Sequence, residues 1–153
     1  MSERAHESPP GFAHRVAVVG DYMLDAYVSG SVSRVCPDAP APVLDAGAEV
    51  LSAGGAGNVA ISCANYGFEV VACGFTGADR ASEALETLLA SSGVKLDGLV
   101  PLQGRSTLVK RRYCAGDQVL LRVDEGSTDP VHPAAARRLV VQLSSASAVL
   151  VSD

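Results

Sequence analysis

The sequence lacks three features that mark common classes of protein. Its formal net charge is -5, so it has no basic excess for a nucleic-acid or anionic-membrane surface. No apolar run approaches the roughly 18 residues that a membrane-spanning helix needs. The four cysteines form no Cys-x-x-Cys pair, and the three histidines show no ligand spacing. These absences predict a reduced, cytoplasmic protein without structural zinc that contacts neither nucleic acid nor membrane.

The chain is long enough for one domain with a hydrophobic core. It has 153 residues, of which 48% are hydrophobic. Residues 1–14 are polar, have no apolar segment of the kind found in signal peptides, and contain Pro9-Pro10-Gly11. We therefore expect a disordered tail over residues 1–14 and a folded domain over residues 15–153.

Alternating segments predict an α/β fold with a mainly parallel sheet flanked by helices. Apolar β-branched runs at 15–20, 69–75 and 148–151 are typical of buried parallel strands. Amphipathic segments at 58–66 and 80–92, and a third that starts at Pro133, are typical of helices packed on that sheet.

Two β-rich inserts are too polar to belong to the core of that sheet. The first covers about residues 26–51, with a short exposed strand at Tyr27–Gly30, and the second covers about residues 106–124. A Gly116-Asp117 tip in the second insert favours a hairpin. We expect the inserts to form a separate small β lid.

A glycine-rich stretch is the main candidate for ligand binding. Gly54, Gly55 and Gly57 precede a helical pattern that begins at Asn58, and such a turn can hold a polar ligand against the backbone. Asn58 as an ordinary helix cap is the alternative. No lysine follows, which argues against a phosphate-binding P-loop. The stretch also fits Gly-x-Gly-x-x-Ala, with Asp79 about twenty residues on, but it does not follow the first strand, so an NAD(P) site is a weaker alternative.

Charged side chains supply further candidates. Asp21 and Asp25 follow the first strand, at the sheet edge where α/β proteins bind ligands, and carboxylates there can accept hydrogen bonds from sugar hydroxyls. Lys110 and Arg112 share one face of a strand, with Arg111 on the other, and two cations on one face can hold a phosphate. A turn cap and a solvated edge strand are the corresponding structural alternatives.

Several segments together resemble the PfkB, or ribokinase-type, family of carbohydrate kinases. Val18–Asp25 resembles the opening of these proteins. Ser33–Val43 is similar to the Ser-Arg-x-x-Pro-Glu-Ala-Pro-x-Pro-Val segment of D-glycero-β-D-manno-heptose-7-phosphate kinases, the kinase half of the bifunctional heptose enzyme. Gly54–Ala60, Thr107–Arg112 and Gln118–Asp124 also resemble motifs of that group, in the same order.

The resemblance implies a ribokinase-like fold with a β lid that closes on the sugar and often pairs two subunits. It also implies transfer of the γ-phosphoryl group of ATP, with Mg²⁺, to a sugar hydroxyl in ADP-heptose biosynthesis. A homodimer through the lid, or a complementary C-terminal fragment, is the expected partner. The implied substrate-binding residues are Asp25, Gly54, Gly55, Asn58, Lys110 and Arg112, with Asp21 as a possible addition.

One part of the family pattern is missing from the sequence. The Gly-Ala-Gly-Asp motif, which supplies the family's catalytic base and anion hole, belongs to the second half of the domain, as does the ATP site. The sequence is therefore interpreted as an N-terminal half, whether a truncated protein, a split subunit or a partial record, with no catalytic, nucleotide-binding or metal-binding residue. A non-catalytic sugar-phosphate-binding or interaction module is the alternative.

Overall fold

The computed structural model of the chain describes residues 15–152, apart from the side chain of Gln142. The tail predicted over residues 1–14 lies outside the described residues. Within the described range there are eight strands and three helices. In chain order they are β1 (Arg15–Gly20), β2 (Tyr22–Val35), β3 (Pro42–Gly55), α1 (Ala56–Asn65), β4 (Glu69–Gly77), α2 (Arg80–Ser91), β5 (Lys95–Leu102), β6 (Leu108–Ala115), β7 (Gln118–Glu125), α3 (Pro133–Ser144) and β8 (Ala148–Ser152).

Four strands form a parallel sheet in the order β5-β4-β1-β8, here called the main sheet. Its residues alternate between two faces, as a strand requires. Val16 and Val18 pack into the larger core, which includes residues of α1 and α2. Ala17 points to the other face, where Leu143 at the end of α3 packs against its cluster. The structure confirms the predicted α/β fold, because helices cover both faces of a parallel sheet.

The other four strands form a mixed sheet in the order β3-β2-β6-β7, here called the second sheet. Strand β2 runs parallel to β6, whereas β2–β3 and β6–β7 are antiparallel pairs. The prediction of a short strand at Tyr27–Gly30 is wrong, since β2 spans 14 residues. Pairing with β3 and β6 carries it through Ser29-Gly30-Ser31, a stretch with no apolar alternation to signal a strand. The role of this sheet as a lid stays a prediction.

Tyr22 fixes the first connection between the two sheets. Its side chain is 1% exposed, and its hydroxyl donates a hydrogen bond of 2.8 Å to the carbonyl oxygen of Val18. Burial raises the pKa of the Tyr22 phenol above its usual value. The ring lies against Gly74, where an added Cβ would come within 2.6 Å of it. The buried and hydrogen-bonded Tyr22 therefore fixes the position of the chain at the start of the Asp21–Asp25 segment.

Asp79 and Thr107 form a second connection between the sheets. Asp79 caps α2 by accepting from the Ser82 amide at 2.9 Å, and it also accepts from the amide and hydroxyl of Thr107 at 2.8 and 2.7 Å. The Thr107 hydroxyl in turn accepts from the Gly77 amide at 2.9 Å. Burial alone would raise the pKa of Asp79, but the hydrogen bonds from Thr107 and Ser82 outweigh it and lower that pKa. These hydrogen bonds therefore hold the start of β6 next to the end of β4.

Candidate functional site

The glycine-rich stretch is the end of β3 and its turn into α1. Gly54 pairs with Met23 and Gly55 with Tyr22, and the helix begins directly afterwards at Ala56. Gly55 has a φ of 54°, in the left-handed region where glycine is favoured. The Ala56 amide donates to the Asp21 carbonyl oxygen at 3.0 Å, which ties the helix start to the end of β1.

The start of α1 carries no side-chain cap, because the residue in the cap position is Gly55. The helix begins two residues earlier than predicted, so Asn58 lies inside its first turn, where it is exposed, and does not cap it. The first amides of a helix have no acceptor within the helix. The Ala56 amide is used by the Asp21 carbonyl oxygen, so the amides that follow it in the first turn are the ones to which a ligand could bind.

The carboxylate of Asp25 lies directly over Gly54. A Cβ at Gly54 would overlap Asp25 Oδ2, so no other residue fits there without moving the carboxylate. The backbone of Gly54 is itself buried. The sequence predicted both residues as ligand contacts, and the register of β2 on β3 places them together.

Asp25 and Arg112 form an ion pair that the sequence did not reveal. Arg112 Nη1 donates to Asp25 Oδ1 at 2.5 Å, and the guanidinium carbon lies 5.1 Å from the centre of the Tyr27 ring. Hydrogen bonding to Asp25 raises the pKa of Arg112. The two residues are 87 positions apart, so only the parallel pairing of β2 with β6 brings them together.

Lys110 lies beside Asp25 on the neighbouring strand, in the register that pairs their Cα atoms. Among the residues of 15–152, none forms an ion pair with it within 4.0 Å. It lines a cleft of about 210 Å³ together with Asp21, Met23 and Asp124. The structure thus places Lys110 and Asp21 in one cleft, next to the pair formed by Asp25 and Arg112.

Arg111 points to the opposite face of the second sheet, as its position in the strand predicted. There it forms ion pairs with Glu49 and with Glu125, the latter at 2.9 Å. Arg122 pairs with Asp124, two positions along β7, at 2.8 Å. Lys110 and Arg112 are therefore the basic side chains that β6 adds to the face that carries Asp25.

Residues 15–152 contain no cluster of metal ligands, and the glycine turn fits neither of the two nucleotide-binding motifs considered from the sequence. Residues 15–152 contain no group of three or more histidine, cysteine, aspartate or glutamate side chains arranged to hold a metal ion. The glycine turn has no lysine after it, and it follows an antiparallel strand of the second sheet where a dinucleotide site needs a strand of the parallel sheet. The NAD(P) alternative also uses Asp79 as its acidic residue. Both carboxylate oxygens of Asp79 already accept hydrogen bonds from Ser82 or Thr107.

A parallel sheet with helices on both faces, together with a second, mixed sheet, defines an α/β protein. Residues 13–152 match the pfkB family of carbohydrate kinases, and the chain belongs to this family. Within the described residues, no helix has the length and apolar character needed to cross a membrane.

Curated relatives are named bifunctional protein HldE. The relative from Azorhizobium caulinodans is 38% identical over an alignment of 143 residues that covers 90% of this chain and 30% of that protein. The relative from Caulobacter vibrioides is 38% identical over an alignment 156 positions long that covers 100% of this chain and 32% of that protein. The chain thus spans about a third of the length of these relatives.

Solved structures share the fold. A carbohydrate kinase from Agrobacterium tumefaciens superposes with a TM-score of 0.68 at 17% identity, covering 90% of this chain and 44% of that one. Ribokinase from Cryptococcus neoformans, solved in complex with ADP, gives a TM-score of 0.62 at 22% identity, covering 90% and 41%. The TM-scores confirm a ribokinase-like fold. The coverages show that the chain corresponds to part of those kinase domains.

Proposed function

We propose that the chain is the acceptor-binding part of a carbohydrate kinase that phosphorylates a sugar phosphate of the heptose 7-phosphate type with ATP. The observation that carries the proposal is the meeting of Asp25, Gly54, Lys110 and Arg112 on one face of the second sheet. The family and its relatives named HldE support this choice of reaction and substrate.

Each residue has a chemical role in this proposal. Asp25 accepts hydrogen bonds from sugar hydroxyls, and a charged acceptor makes such bonds strong. Gly54 leaves room for the carboxylate and for the sugar ring beside it. Lys110 and Arg112 bind the phosphate that the substrate already carries, the guanidinium with two parallel donors.

The remaining predicted contacts come from the turns around this face. The amides at Gly55 and Asn58 are proposed to face the sugar, and Asp21 is a possible further contact at the mouth of the cleft. ATP and Mg²⁺ are implied by the family, and we place their binding residues and the catalytic base outside residues 15–152. With ATP as the donor, we expect the reaction to take place in the cytoplasm.

The surface of the second sheet favours self-association. A groove of about 420 Å³ is lined by apolar residues of β3, β6 and β7 together with Ala41, and Leu121 within it is 56% exposed. Strand β8 ends the main sheet as an open edge, with Val151 81% exposed. We propose a homodimer through the lid, or a complementary C-terminal fragment bound at β8. A monomer in sedimentation analysis of the chain alone would contradict the homodimer, and a monomer in the presence of the fragment would contradict the second arrangement.

Calorimetric titration with heptose 7-phosphate, fructose 6-phosphate and ribose tests the proposal. We expect the 153-residue chain to bind heptose 7-phosphate weakly, yet more tightly than it binds fructose 6-phosphate or ribose. We expect it to transfer no phosphoryl group. Adding the C-terminal half of a relative's kinase domain, with ATP, is expected to restore transfer. Binding without restored transfer would favour the alternative, a non-catalytic sugar-phosphate-binding module. Transfer by the chain alone would contradict our assignment of the catalytic base.

A matched pair of variants locates the binding site. Asp25→Asn removes the charged hydroxyl acceptor and is expected to weaken heptose 7-phosphate binding about tenfold or more, as for loss of a charged hydrogen bond. Asp97→Asn changes the same functional group at an exposed position of β5 in the main sheet and should leave binding unchanged. Equal affinities of the two variants would overturn the assignment of Asp25.

A further inference from the structure

The residues proposed for the sugar hydroxyls and for the phosphate are hydrogen-bonded to each other in the structure. Asp25, proposed for sugar hydroxyls, and Arg112, proposed for phosphate, share the 2.5 Å hydrogen bond. Their side chains are only 23% and 21% exposed, so solvent screens the pair less than it would a surface ion pair. A sugar that approaches Asp25 therefore meets a carboxylate whose Oδ1 is occupied.

The neighbouring groups hold this arrangement in place. Asp25 Oδ2 lies against Gly54, so both oxygens of the carboxylate have contacts inside the protein. Arg112 also stacks over Tyr27, and a cation over an aromatic face is attracted to it. Across β7, Arg122 is bound to Asp124, which leaves Asp25 as the carboxylate paired with Arg112.

We propose that Arg112 is a phosphate-dependent latch that makes the site specific for phosphorylated sugars. In the free chain it neutralises Asp25, and the phosphate of an incoming sugar draws the guanidinium away and frees the carboxylate for the hydroxyls. This inference rests on the function proposed above and adds to it the means by which sugars without a phosphate are rejected.

The relative strength of the competing hydrogen bonds supports this exchange. A phosphate is doubly charged and offers three acceptor oxygens in a geometry that suits a guanidinium, so it is a better partner than one carboxylate oxygen. A neutral hydroxyl cannot replace Arg112 at Asp25 without leaving the guanidinium partly buried and unpaired, which is unfavourable. The hydroxyls therefore gain access to Asp25 only when a phosphate takes Arg112.

Lys110 supplies the matched control because it has the same charge on the same strand face without the ion pair. Its Cα pairs with that of Asp25, yet no ion pair joins the two side chains in the described structure. Loss of Lys110 should weaken phosphate binding alone. Loss of Arg112 should weaken phosphate binding and also release Asp25.

Calorimetry with D-glycero-D-manno-heptose 7-phosphate and with the same heptose lacking phosphate tests the latch. We expect Arg112→Met to bind the unphosphorylated heptose about tenfold more tightly than the wild type, a coupling of ordinary size. The same variant should bind the phosphorylated heptose about tenfold more weakly. Lys110→Met should also bind the phosphorylated heptose more weakly, but it should not bind the unphosphorylated heptose more tightly than the wild type does.

The outcomes separate the two proposals. If the wild type binds heptose 7-phosphate but Arg112→Met gains nothing for the unphosphorylated heptose, the latch is wrong and the proposed function stands. If the wild type binds neither sugar, the proposed function fails and the latch fails with it.

A second measurement needs no variant and so does not depend on the folding of Arg112→Met. Inorganic phosphate at saturating concentration should draw Arg112 from Asp25 in the wild type and tighten binding of the unphosphorylated heptose about fivefold or more. Chloride at equal ionic strength should give no such gain. Unchanged or weaker binding with phosphate would overturn the latch.

Discussion

The two sheets of the molecule are stabilised in different ways. The central strands of the main sheet are buried through alternating apolar side chains, and Ala17, Val18, Val70 and Val71 are all 0% exposed. The second sheet is less buried, and its strands β6 and β7 carry the charged residues Lys110, Arg111, Arg112, Arg122, Asp124 and Glu125. The main sheet thus forms the apolar core, whereas the second sheet presents the polar groups that we propose bind the ligand.

The largest expected effect is a loss of stability from a substitution in the larger hydrophobic core. Leu85 on α2 is 0% exposed and packs in the larger core, so Leu85→Ala should lower the free energy of unfolding by about 2–5 kcal/mol. Val119→Ala, at a residue 50% exposed on β7 and outside the groove proposed for self-association, should change it by less than about 0.5 kcal/mol. Urea unfolding measures both values, and equal losses would contradict the division between the sheets.

The next effect concerns the connection between the sheets at Thr107, which is 3% exposed. Thr107→Val removes the hydroxyl that bonds to Asp79 and leaves the Gly77 amide without its acceptor, which should cost about 1–3 kcal/mol. Thr107→Ser keeps both hydrogen bonds and serves as the control. A valine variant as stable as the serine variant in urea would show that these bonds do not hold β6 in place.

A smaller effect should appear in binding at Gly54. An alanine there would displace the Asp25 carboxylate, so Gly54→Ala should weaken heptose 7-phosphate binding about tenfold, or roughly 1.4 kcal/mol. Gly47→Ala tests the same change further out on β3, where the nearest atom to the added Cβ is the Ser29 carbonyl oxygen at 3.0 Å. Calorimetry on both variants is the measurement, and similar losses would argue against a site at Gly54.

The smallest expected effect is a pH dependence at Asp79. Its pKa is lowered in the folded chain, so its carboxylate stabilises the fold above its unfolded pKa of about 4. That contribution is lost as the pH falls through the lower folded pKa. The difference in unfolding free energy between the wild type and Asp79→Asn should therefore shrink from pH 7 to pH 3, and a constant difference would contradict the account.

The same contrast explains what the sequence could predict. The main-sheet strands and the helices packed on them were located within a few residues, because a buried strand and an amphipathic helix each have a characteristic apolar spacing. The full length of β2 was missed, since Ser29-Gly30-Ser31 has no such spacing and its strand depends on neighbouring chains. Asp25 and Arg112 were each selected from the sequence, but their contact required the pairing of β2 with β6.

The central claim is that the face of the second sheet around Asp25 binds a sugar phosphate, and a titration of the isotopically labelled chain with heptose 7-phosphate tests it most directly by NMR. We expect the largest backbone-amide shift changes at Asp25, Gly54, Lys110 and Arg112, with the central strands of the main sheet little affected. Changes confined to the main sheet or to β8, or none at saturating ligand, would contradict the claim.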